Sequence, residues 1–109
     1  PIGAAHHTHH GTTNAVVMQP VLRMNRPAIE DRLAKAEAYL DIVGGFAGFY
    51  DFVGKLNAEL NIPANLTALG VTEPDIDALV ASALQDPSCG GNPIELTKEN
   101  VTQLLRDCF

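Results

Sequence analysis

His6-His7-Thr8-His9-His10-Gly11-Thr12-Thr13-Asn14, running straight into Ala15-Val16-Val17-Met18-Gln19-Pro20-Val21-Leu22-Arg23-Met24-Asn25, is the stretch on which the reading of this chain turns. All four histidines of the protein lie in it, directly before a Gly-Thr-Thr run of the kind that starts a helix. The apolar residues that follow cover most of a helix circumference instead of one stripe, which implies a helix buried on nearly all sides. The rest of so short a chain is not expected to supply neighbours for every face. Pro20 removes a backbone donor and predicts a kink or a split. Pro1–His10 shows no hydrophobic period and reads as a loop.

Outward from that stretch the pattern stays helical. Asn25-Arg26-Pro27 predicts a break and a restart, because proline suits a first helical turn and Glu30 and Asp31 suit the positive helix end. Ile29, Leu33, Ala36, Leu40 and Val43 then recur on one apolar face, closed by Gly44-Gly45 in the manner of a glycine cap. Phe46, Phe49, Phe52, Val53, Leu56 and Leu60 give the next face, and its aromatics read as core. Gly48 and Gly54 interrupt it, which points to close backbone packing. Leu66–Gly70 makes a short turn. Thr72-Glu73-Pro74-Asp75 resembles a capping box ahead of Ile76, Leu79, Val80, Ala83 and Leu84. Asp86-Pro87 ends that helix, a turn-rich loop follows, and Thr97 caps a last one carrying Val101, Leu104, Leu105 and Cys108. The fold class expected is all-α, with five or six helices and no sheet.

Composition narrows the function classes. A hydrophobic fraction of 46% is that of a folded domain, not a disordered segment. The net charge of -6, with no local run of Lys or Arg, disfavours nucleic acid and anionic membrane surfaces as partners. No apolar run approaches the roughly 20 residues that span a bilayer. Cys89 and Cys108 stand far apart with no CxxC partner, so a reducing, cytoplasmic location is expected. Asn65-Leu66-Thr67 and Asn100-Val101-Thr102 match a glycosylation pattern but read as turn and helix residues.

Imidazole in its neutral form is the commonest ligand for zinc, iron, copper and nickel, and His10 sits at a helix mouth with Gly11 leaving room beside it. Four histidines so close in sequence cannot all face one ion, and a catalytic metal needs about three protein ligands. No downstream cluster of Cys, His or acidic residues completes the set. A polar surface loop is the plain alternative reading of the same residues.

A resemblance carries the reading further. Pro1-Ile2-Gly3-Ala4, then Thr8-His9-His10-Gly11-Thr12-Thr13-Asn14-Ala15-Val16 and Gln19-Pro20-Val21-Leu22-Arg23-Met24-Asn25, resemble the C-terminal half of an iron-dependent (group III) alcohol dehydrogenase. Leu60-Asn61-Ile62-Pro63, Leu69-Gly70-Val71 and Asp86-Pro87-Ser88-Cys89-Gly90-Gly91-Asn92-Pro93 are similar to later passages of that family, so the likeness runs from end to end. It implies the C-terminal portion of a dehydroquinate-synthase-like helical domain spanning residues 1–109, with the nucleotide-binding domain absent. The histidine before glycine is the family's last metal ligand, which places that role on His10; His9 falls where many members have proline. By the same resemblance His6 and His7 line the substrate cleft, with a bland role as loop residues as the alternative. The family's cysteine aligns with Ser88, Cys89 comes one place later, and Ile94 stands where arginine is common.

The resemblance implies a parent enzyme that interconverts an alcohol with an aldehyde or ketone, using NAD(P) held by a missing N-terminal domain and Fe2+ or Zn2+ as Lewis acid. The other ligands, an aspartate and two histidines, would lie upstream of Pro1. The expected partners are the remainder of that dehydrogenase, a small alcohol or aldehyde, and further copies in a homo-oligomer. The 109 residues alone are expected to be inactive. A different class stays open beside it: a free-standing helical module whose histidine-rich loop binds metal or mediates assembly.

Overall fold

The computed structural model describes residues 1–72 and 74–109 and, within these, every side chain but that of Ala38. The described residues form five α-helices and no strand. These are α1 (Ile2–His6), α2 (His10–Leu40), α3 (Gly45–Glu59), α4 (Ile76–Gln85) and α5 (Lys98–Asp107), with a 3-10 turn at Pro87–Gly91. No helix is long and apolar enough to cross a membrane among the described residues.

The helix is neither split at Pro20 nor broken and restarted at Asn25–Pro27. Residues His10–Leu40 form one helix of 31 residues with Pro20 and Pro27 inside it. Each proline forfeits one backbone hydrogen bond, to the carbonyl four residues back, at a cost of about 3 kcal/mol in an isolated helix. Tertiary contacts on both sides of the prolines outweigh that cost. The Gln19 side chain donates to the Tyr50 carbonyl at 3.2 Å, and Asn57 donates to the Ala15 carbonyl at 2.9 Å. Arg23 donates to the Tyr50 hydroxyl at 2.6 Å, and Arg26 lies over the Phe46 ring at 4.8 Å. Asn25, which is buried, exchanges two amide hydrogen bonds of 2.9 Å with Asn92.

Other local expectations shift for identifiable reasons. The segment read as a loop contains the single turn α1, which forms because Ile2 is drawn into the core; His7, in the left-handed region at φ 54°, ends it. Asp41, at φ 51°, terminates α2, so Gly44 at φ 117° begins α3 instead of ending the helix before it. Asp75 itself caps α4 by accepting from the Ala78 N–H at 2.9 Å. The box read around Thr72 therefore does not serve as its cap, and Glu73 within it lies outside the described residues. Thr97 and Asn100 form the reciprocal capping box at the start of α5. Asn65 accepts from the Ala68 N–H in a turn, as its sequence context suggested.

The core lies at one end of the molecule. Ile2, Val16, Leu66, Val71, Leu79, Val80, Val101, Leu105 and Cys108 pack together where α1, the start of α2, α4 and α5 meet. Helix α3 packs mainly on α2, through Phe46 and Val53. Gly54 permits the approach, since a Cβ there would lie 2.7 Å from the Gln19 amide, while a Cβ on Gly48 would collide with the Val43 carbonyl in the connection between the two helices. The apolar face read on the second half of α2 is not core, since Leu40 is 54% exposed and Val43 90%. Phe52 and Leu56 on α3, and Leu60 just past its end, are also exposed, so only part of the aromatic cluster is buried. The whole surface, 6948 Å2, exceeds the ~5,800 Å2 expected of a compact monomer of this mass. Met18, Tyr39, Leu40, Val43, Phe52, Leu56, Leu60 and Leu84 are among the large apolar side chains left exposed.

That asymmetry predicts unequal mutational costs. Leu66→Ala, at a side chain with 0% exposure, should cost about 2–5 kcal/mol in urea denaturation. Leu60→Ala should change stability by less than about 0.5 kcal/mol. Comparable losses would place the core elsewhere.

Candidate functional site

The histidine-rich stretch folds as the hinge between α1 and α2. His9, extended at φ -66° and ψ 125°, is the residue at the helix boundary, and His10 opens the helix proper. The threonines read as caps lie one turn further in. Thr13 is buried, and its hydroxyl donates back to the His9 carbonyl at 2.9 Å while lying 2.6 Å from the Thr8 hydroxyl. This pair of hydroxyls pins the loop to the helix and fixes where the chain turns.

The pinned loop points its imidazoles in different directions. His10 is exposed, with its Nε2 atom 3.1 Å from the Asn14 side-chain amide one turn along. His9 is exposed as well, and its Nδ1 atom lies 3.4 Å from the Thr12 hydroxyl. His6 is half-buried and lines an open cavity of about 540 Å3 between α1 and α4, together with Asp75 and Ser82. His10 is not among the residues lining that cavity, so the two candidate site residues are not brought together. Among the described residues no three His, Cys, Asp or Glu side chains converge as a metal would require.

A second cluster was passed over as a tight loop in the sequence. The 3-10 turn at Pro87–Gly91 is held at both ends. Asp86 accepts from the Ser88 N–H at 2.8 Å, which pulls its carboxyl below the usual carboxylate range, and Asn92 is clasped by Asn25. Cys89 is half-buried there, its thiol 2.6 Å from the Ala83 carbonyl, beside a shallow cavity shared with Pro1 and Asn92. Asn25 is buried and its partner Asn92 half-buried, 67 residues further along the chain. No local pattern reveals a pair so far apart.

The two thiols are free and chemically unequal. Cys108 is 2% exposed, and burial, helped by the Asp107 charge, pushes its thiol from the usual 9.0 up to about 11. The folded state holds that proton to higher pH than the unfolded state does. Its contribution to stability is therefore complete below pH 9 and is lost as pH rises toward about 11. A thiol reagent at neutral pH should modify Cys89 in the native protein and reach Cys108 only on unfolding, as read by mass spectrometry of the labelled peptides. Equal labelling rates would contradict the burial.

Comparison with known proteins gives this geometry a context. The family described as "Fe-containing alcohol dehydrogenase family, C-terminal" matches residues 1–109. A lactaldehyde reductase of Escherichia coli K12 is 32% identical over 116 aligned positions, covering 100% of this chain and 30% of that protein. A 4-hydroxybutyrate dehydrogenase of Cupriavidus necator is 36% identical, over 89% of this chain and 26% of its own length. An NADPH-dependent butanol dehydrogenase of Clostridium saccharobutylicum is 26% identical, over 94% of this chain and 29% of its own. The chain thus spans about 30% of the length of the relatives it matches.

Proposed function

We propose a function from one premise: the chain belongs to the Fe-containing alcohol dehydrogenase family, of which it forms the C-terminal, all-α part. It acts within a longer metal-dependent dehydrogenase that interconverts a small alcohol with its aldehyde or ketone. The names of three relatives, a lactaldehyde reductase, a hydroxybutyrate dehydrogenase and a butanol dehydrogenase, support a short alcohol or carbonyl compound as the substrate class. NAD(P) would be held by a nucleotide-binding domain beyond these 109 residues.

His10 is proposed as the chain's one contribution to the metal site. The observation that carries this is an exposed imidazole on the first residue of α2, fixed there by the Thr8–Thr13–His9 contacts. One imidazole fits Fe2+ or Zn2+ as a donor, and the described residues do not complete the set. A metal bound there supplies Lewis-acid polarisation of the alcohol or carbonyl oxygen. His10 would bind and orient; His6, which lines a cavity that His10 does not, would line the substrate cleft at most from its edge. The uncovered apolar surfaces of α2 and α3 also suit a chain built to be packed by other parts.

In the longer enzyme, His10→Ala should lower bound metal at least tenfold, since loss of mere supporting residues already costs about 10–100-fold in affinity. NAD(P)-linked alcohol oxidation should fall with it, and the 109-residue chain alone should show no turnover. Metal content by plasma mass spectrometry that is unchanged in the variant would refute the assignment.

A further inference from the structure

We propose that Asn14 is a positioning residue for His10: by donating a side-chain N–H to Nε2, it holds the imidazole as the Nδ1–H tautomer. The Nε2 lone pair is thereby kept on the outer side of the first turn of α2. The distance is 3.1 Å, between residues one helical turn apart on the same exposed face. Residues at this spacing meet because side chains on a helix lie over the turn before them.

The chemistry of the two neighbouring contacts differs in a way that matters. His9 meets the hydroxyl of Thr12, which can donate or accept and so imposes no tautomer. An amide nitrogen can only donate. The contact from Asn14 Nδ2 therefore requires a lone pair on His10 Nε2 and places the ring proton on Nδ1. A neutral imidazole that ligates a metal needs one nitrogen bare and the other protonated. Asn14 makes that choice before any ion arrives, and then yields the lone pair to it. Among the described residues the Asn14 side chain makes no other hydrogen bond, so nothing else on the protein anchors it against that exchange.

This inference takes its purpose from the reading of His10 as a ligand, but the tautomer exists without metal and is measured without it. Failure of one is therefore distinguishable from failure of the other. The orientation of the Asn14 amide decides the outcome, and nitrogen chemical shifts report it directly.

The test is a two-bond proton–nitrogen correlation spectrum of the 109-residue chain labelled with 15N-histidine, at a pH where the rings are neutral. The wild type should show His10 as Nδ1–H. Asn14→Ala should relax it toward the Nε2–H form that free imidazole side chains prefer. Asn14→Asp, whose carboxylate only accepts, should drive it to Nε2–H. Circular dichroism should be the same for all three. A wild-type His10 found as Nε2–H, or a tautomer indifferent to both substitutions, overturns the proposal.

Discussion

Helix α2 is the constraint on which everything else depends. Its 31 residues carry the histidine at their start, the covering contacts of α3 along their length, and a seam to α5 on another side. Two internal prolines would separate such a helix into pieces in isolation, at about 3 kcal/mol each. It survives because it is tied to its neighbours: Gln19 bridges to α3, Asn57 of α3 donates to the Ala15 carbonyl, Asn25 pairs with the loop after α4, and Arg26 reaches both Glu30 and Phe46. The salt bridge from Arg26 to Glu30, at 2.8 Å, is half-exposed and adds little by itself. The part-buried, doubly bonded Asn25–Asn92 pair carries more of the load.

The position of His10 follows from that helix. The Thr8 and Thr13 hydroxyls fasten the loop against the first turn, so His10 emerges at a fixed point on a rigid element. A side chain presented from a helix is held more firmly than one on a free loop, which is what a metal ligand requires. The other three histidines do not join it. His6 belongs to the cavity between α1 and α4, and His7 serves the backbone by taking the left-handed conformation that ends α1.

Much of this was legible in the chain. The spacing of apolar residues indicated helices throughout, and the chemistry of Thr97 located the start of α5. The resemblance to iron-dependent alcohol dehydrogenases is matched by the family comparison over all 109 residues. What escaped the sequence was set by distant contacts. Pro20 read as a kink or split and Pro27 as a restart because the contacts that hold the helix through them, from Gln19 to α3 and from Asn25 to Asn92, join residues far apart in the chain. Ile2 drew a presumed loop into helix for the same reason. The face ending in Leu40 and Val43 read as core because periodicity reports which residues could be buried, not whether anything covers them. In the candidate site, residue type singled out His10, while the Asn14 contact and the Asn25–Asn92 clasp appear only in three dimensions.

The central claim is that His10, alone among the residues of this chain, reaches the metal of a longer dehydrogenase. It is tested most directly by crystallising that enzyme with Zn2+ and locating the ion by anomalous scattering at the zinc edge. The account predicts one strong peak about 2.0–2.1 Å from the His10 Nε2 atom, the usual zinc–imidazole distance, with no other side chain of the 109 residues in its coordination shell. A zinc peak coordinated without His10, or one bound through Nδ1 with Nε2 still held by Asn14, would contradict it.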